Sequence, residues 1–251
     1  MKKYLLSIMI IFVVTGCNRN KKMLEATAVV WLFDITEGTT VYPSWQSILD
    51  LYHFPENRYK EAYFKKGCIS NFKNNEEDIL HLDNQQVGEQ WNRYDDPKYR
   101  DKQVIAYMNQ VKNSIEETTN SGQDNGRKET QCYHRIVSEL EYLSSLKAKR
   151  KVMIITSDVI ENSELLRGYS SDLYHLMIND RNKAVQEIAE KFSDDESIPN
   201  KLSGIDVYIL FNPRTKEDDI RFDVFSSAYK QMIEENHGRV FIKSSQNIKE
   251  Q

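Results

Sequence analysis

Apolar residues fall along this chain in two alternating patterns. Ala26–Phe33 (AVVWLF at its core), Val152–Ile155 and Ile205–Phe211 are short, unbroken apolar runs rich in β-branched and aromatic residues. Such runs read as strands buried on both faces. Val240–Ile242 reads as a last short strand. Between these runs the apolar positions recur at helical spacing. Trp45, Ile48, Leu49 and Tyr52 follow Ser44 as N-cap, and Val104, Tyr107, Met108, Val111 and Ile115 line a second helix. Thr130 opens a third, with Tyr133, Ile136, Val137, Leu140, Leu143 and Leu146 on one face. Leu173–Phe192 reads as one helix, and Phe222, Phe225, Tyr229, Met232 and Ile233 mark the last, closed by Gly238 in the C-cap position. Residues 59–82 fit one or two strands; residues 83–101, 118–126 and 193–204 are polar and read as loops.

Strands alternating with helices imply β-α-β crossovers. The predicted fold is α/β and Rossmann-like: a mostly parallel central sheet with helices on both faces. One domain spans residues 26–243, with a polar tail at 244–251. The strands at 28–33, 152–156 and 206–211 are expected to be parallel neighbours. In such sheets ligands bind where loops leave the carboxyl ends of strands. Two of the apolar strands end in an aspartate there, Asp34 and Asp158.

The first residues read as processing sequence. Lys2 and Lys3 precede an almost wholly apolar stretch, Tyr4–Val14, and Val14-Thr15-Gly16-Cys17 follows. A basic start, a short apolar core and small residues make a secretory signal. The cysteine behind them resembles a bacterial lipobox. That resemblance implies cleavage before Cys17 and a diacylglycerol on its thiol. Residues 1–16 are then a lipoprotein signal peptide and 17–25 a lipidated tether. Multiple acyl chains hold a protein stably on a membrane. Asn18, where an Asp favours inner-membrane retention, points to the outer membrane, with the domain facing the periplasm or the surface.

Composition narrows the function. Basic residues number 34 and acidic ones 38, a net charge of −4 that argues against nucleic acid as a partner. Loss of residues 1–16, which carry two lysines and no acid, makes it −6. Nine glycines leave little for a phosphate-cradling loop, and three cysteines make no disulfide framework. Cys68 and Cys132 either pair in an oxidising periplasm or stay as buried thiols. The five histidines are scattered and give no zinc-hydrolase pattern.

Carboxylates and hydroxyls at strand ends suit a hard cation such as Mg²⁺ or Ca²⁺. Asp34 and Thr36 after the first strand, Thr130 before a central helix and Asp158 after the next strand together resemble the von Willebrand factor A-like family. In that family Asp-x-Ser/Thr-x-Ser, a Thr and an Asp form a metal-ion-dependent adhesion site. Gly38 stands where the second hydroxyl belongs, and Thr39 or Thr40 replaces it through a shifted loop. The resemblance covers most of residues 26–243. It implies a metal site of Asp34, Thr36, Thr39, Thr130 and Asp158, placed on loops outside the core, and a domain that binds an unknown protein partner without chemistry of its own. The alternative is a haloacid-dehalogenase-like phosphohydrolase. There Asp34 is the nucleophile and Thr156 or Ser157 holds the phosphoryl group, but Thr36 stands where those enzymes place their general acid.

Overall fold

The computed structural model describes residues 26–34, 42–70, 77–83, 97–120 and 130–244. Cys17, Thr36, Thr39 and Thr40 lie outside them. The strands are β1 (Thr27–Asp34), β2 (Ala62–Ile69), β3 (Asp78–Leu82), β4 (Arg150–Thr156), β5 (Ile205–Leu210) and β6 (Arg239–Lys243). The helices are α1 (Trp45–Asp50), α2 (Pro97–Asn120), α3 (Cys132–Ser145), α4 (Ser171–Asn179), α5 (Arg181–Asp195) and α6 (Lys216–Glu235). One six-stranded sheet runs in the order β3-β2-β1-β4-β5-β6. Every neighbouring pair is parallel except β2 and β3. The α/β, mostly parallel architecture is the predicted one, and β1, β4 and β5 are the parallel neighbours expected.

Both faces of the sheet are covered, which is why its central strands are apolar without alternation. Ala28, Val30, Leu32, Met153, Ile155, Val207 and Ile209 pack against α3, α4, α5 and α6. Val29, Trp31, Val152, Ile154, Tyr208 and Leu210 face α1 and α2. Trp31 is fully buried, and its Nε1 donates to Thr156 Oγ1 at 3.2 Å. No helix among the described residues is long and apolar enough to cross a membrane.

Several boundaries differ from the expected ones. Helix α2 begins at Pro97, inside the stretch read as a loop; proline suits the first helical position because its missing N–H has no partner there anyway. The helix read over Leu173–Phe192 is two. Asp180, at φ −149° and ψ 83°, ends α4, and its side chain accepts from the Lys183 amide to start α5. Helix α5 then runs to Asp195, into the stretch read as a loop. Thr130 does not open α3. Its backbone pairs with Asn162 in both directions at 3.0 Å, and the helix starts at Cys132. The left-handed residue after α6 is His237, at φ 69°, while the Gly238 amide donates to Ile233 O. Cys68 and Cys132 are both buried and form no disulfide with each other.

Candidate functional site

The sheet has a switch point between β1 and β4. The chain leaves β1 toward β2 on one side and leaves β4 toward β5 on the other. Loops departing in opposite directions open a crevice at the carboxyl ends of that pair, the usual ligand position in such sheets. The register pairs Phe33 with Thr156, so the next residues, Asp34 and Ser157, meet at the crevice floor. Ser157 Oγ donates to Asp34 Oδ2 at 2.9 Å and lies 3.5 Å from Asp158 Oδ1. The structure thus brings Asp34 and Asp158 together on one hydroxyl.

Neither aspartate lies outside the core, contrary to what the loop placement implied. Asp34 is fully buried and Asp158 nearly so. The segment after β4 is folded by its own side chains. The Val159 amide donates to Ser157 Oγ at 2.9 Å, and the Ile160 amide donates to Asp158 Oδ1 at 3.0 Å. These two turns drive Val159 to φ 54°, a conformation that costs a β-branched residue energy and that clusters at functional sites. The other Asp158 oxygen accepts from the Tyr169 hydroxyl at 2.6 Å. Tyr169 follows Gly168, whose amide donates to Glu161 O at 2.8 Å. The Gly168 carbonyl accepts from Arg221 Nη1 at 2.6 Å.

Thr130 is anchored to Asn162, four residues beyond Asp158, so it adjoins the same segment without capping α3. The cap comes from Glu161 instead, whose Oε2 accepts from the Tyr133 amide at 2.9 Å. A carboxylate there also complements the positive end of the helix dipole. The other Glu161 oxygen and the Tyr229 hydroxyl are buried without a hydrogen-bond partner among the described residues.

This neighbourhood is rich in negative charge. Burial, then Asp34, Glu161 and Asp158, push the Cys132 thiol well above its ordinary range. Burial also pushes the Tyr229 phenol up, reinforced by Cys132, Glu161, Tyr133 and Asp158. The Glu161 carboxyl is raised by burial, against the hydrogen bonds from Ser163, Tyr133 and Cys132. Two carboxylates and a hydroxyl form an oxygen-only donor set, which fits Mg²⁺ or Ca²⁺ and not a thiolate- or imidazole-seeking metal. The phosphoryl-holding role weighed for Thr156 has little room. Its hydroxyl accepts from Trp31 and donates to Leu32 O at 3.2 Å.

A second group of metal-type ligands lies on the edge pair at the amino end of β2. One ligand atom each from Glu61, His81 and Asp83 lies within 4.8 Å of the others. His81 Nε2 is 2.8 Å from Glu61 Oε1, and the imidazole stacks on Tyr63 at 4.2 Å. Spacing could not reveal this group, because only the Tyr63–His81 register of β2 and β3 assembles it. Ser157 as the bridge, Glu161 as the cap and Tyr169 as the partner of Asp158 were equally invisible in the pattern.

No family model and no curated protein matches the chain. Among solved structures it is similar to the human COPII-coat protein Sec24c, at 10% identity and a TM-score of 0.38. That alignment covers 91% of this chain and 31% of the other.

Proposed function

We propose that the chain is a lipid-anchored protein of the bacterial cell envelope, held by Cys17 in the outer membrane and facing the periplasm or the surface. Its von Willebrand factor A-like domain binds a protein partner through Mg²⁺ or Ca²⁺ at Asp34 and Asp158, with no turnover of its own. The observation that carries the reading is the meeting of these two buried carboxylates on the Ser157 hydroxyl at the switch point of the sheet. Like charges held together out of water repel, so a divalent cation relieves them, and a partner's carboxylate completes its coordination. Thr36, Thr39 and Thr130 are the proposed hydroxyl ligands.

A cation that binds only the folded state stabilises it by RT ln(1 + [L]/Kd), about 2.7 kcal/mol at a hundredfold excess over Kd. Millimolar Mg²⁺ or Ca²⁺ should therefore raise the melting temperature, and Asp34→Asn should lose that rise. Asn is the informative replacement, because it is isosteric and keeps an acceptor for Ser157. If neither cation shifts the melting of the wild type and calorimetry shows no heat, the metal reading fails. Turnover of a phosphate ester in Mg²⁺, lost in Asp34→Asn, would favour the phosphohydrolase instead.

The anchor rests on the Val14-Thr15-Gly16-Cys17 register behind an apolar stretch. Cells fed radioactive fatty acid should label the wild type and not Cys17→Ala. Equal labelling of the two, or none of either, removes the anchor from the proposal.

A further inference from the structure

We propose that Tyr169 is a positioning residue for the cation site. It holds the Asp158 carboxylate in the orientation that octahedral coordination requires. The inference rests on the reading of Asp34 and Asp158 as cation ligands. The turn after β4 engages one Asp158 oxygen, Oδ1, through the Ile160 amide at 3.0 Å. The Tyr169 hydroxyl engages the other, Oδ2, at 2.6 Å, so donors from two separate residues fix the plane of the carboxylate.

Tyr169 is in turn placed from α6. Arg221 is almost wholly buried, and Glu217 accepts from its Nε and Nη2 at 3.1 and 2.6 Å. Its Nη1 donates to Gly168 O, the carbonyl directly before Tyr169. The guanidinium lies 4.5 Å from the Tyr174 ring centroid and 5.7 Å from that of Tyr169. A buried guanidinium is costly unless its donors are used; Glu217 holds Nε and Nη2, and Nη1 is spent on the segment that aims Tyr169 at Asp158. Tyr169 is 45% exposed at the rim of the site, so it is not a core residue. The structure gives its hydroxyl a partner in the site, and partners that orient a metal ligand typically carry 10–100-fold in affinity.

The test is calorimetric titration of the full-length wild type and Tyr169→Phe with Mg²⁺ and Ca²⁺ separately, with the melting temperature of each in metal-free buffer as the control for folding. Mg²⁺ demands near-ideal octahedral geometry, whereas Ca²⁺ tolerates varied geometry and coordination number. Loss of the phenol should therefore weaken Mg²⁺ about tenfold or more and Ca²⁺ distinctly less, with metal-free melting unchanged. Equal weakening of both cations would mean general loosening and would overturn the role. So would Mg²⁺ affinity that is unchanged or improved, and in either case the cation site itself would stand. A wild type that binds neither cation would overturn the site reading and the Tyr169 role together.

Discussion

Lys65→Met is expected to cost about 3 kcal/mol of folding stability, the lower end of what removing one partner from a buried ion pair costs. Lys65 projects from β2 with its side chain only 10% exposed. Its Nζ lies 2.8 Å from Glu139 Oε1 and 3.3 Å from Glu77 Oε2. Arg135 completes the network, 2.6 Å from Glu77 and 3.1 Å from Glu139. Two cations and two anions thus balance beneath α3, and Glu139 is wholly out of water. Without Lys65, two carboxylates share one guanidinium. Adding Glu139→Leu restores the charge balance and should recover most of the loss, since a buried pair replaced as a pair by apolar groups is often neutral. Urea denaturation of the single and double variants decides the point; equal destabilisation of the two would show that packing, not charge balance, sets the cost.

The same network sets a pH dependence. Burial raises the Glu77 carboxyl, but the Arg135 and Lys65 interactions outweigh it and hold the group below the ordinary Glu range. A carboxyl whose folded pKa is depressed contributes stability above the unfolded value of about 4.3, and that stability is lost as pH falls through the folded value. Lys65→Met should therefore flatten the acid limb of the stability profile as well as lower its plateau.

The fold was legible where burial is simple. β1, β4 and β5 are sealed on both faces, so their runs are unbroken and the parallel order follows from the helices between them. β2 was harder because Lys65 and Lys66 interrupt its apolar pattern. Both are accommodated by ion pairs to residues outside the strand, Glu139, Glu77 and Asp78. Helical periodicity across residues 173–192 carried no sign of the break, because α4 and α5 present Met177, Ala184 and Ile188 to one core; Asp180 as a cap was the local clue. Asp34 and Asp158 could be picked out because strand ends are where ligands bind. Their burial could not, because it arises from the packing around the crevice and not from the strands themselves. Thr130 was misplaced for a related reason. Local logic seeks the cap of α3 just before the helix, and here the capping carboxylate is Glu161, 28 residues further on in sequence.

Gly168→Ala should cost about as much as the loss of Lys65, about 3 kcal/mol, although it adds only a methyl group. A Cβ at Gly168 would lie under 3.0 Å from the Glu161 carbonyl, Ile160 Cγ2 and Phe225 Cζ. Flexible side-chain ends yield to such a contact, but the Glu161 carbonyl is backbone and accepts the Gly168 amide itself. Glu161 cannot retreat without pulling its carboxylate off the start of α3. Ile160 cannot move without disturbing the amide that holds Asp158. The strain therefore passes into the segment between Val159 and Tyr169, so the variant should lose stability and, at the proposed cation site, affinity. Ser170→Ala, two residues along, is the matched control. Ser170 is the N-cap of α4 but makes no side-chain capping bond, and its loss should stay within about 0.5 kcal/mol. Urea denaturation and Mg²⁺ titration of the two variants side by side measure both effects. If Gly168→Ala melts and binds as Ser170→Ala does, the segment is looser than these contacts imply, and Arg221 does not convey the position of α6 to Asp158.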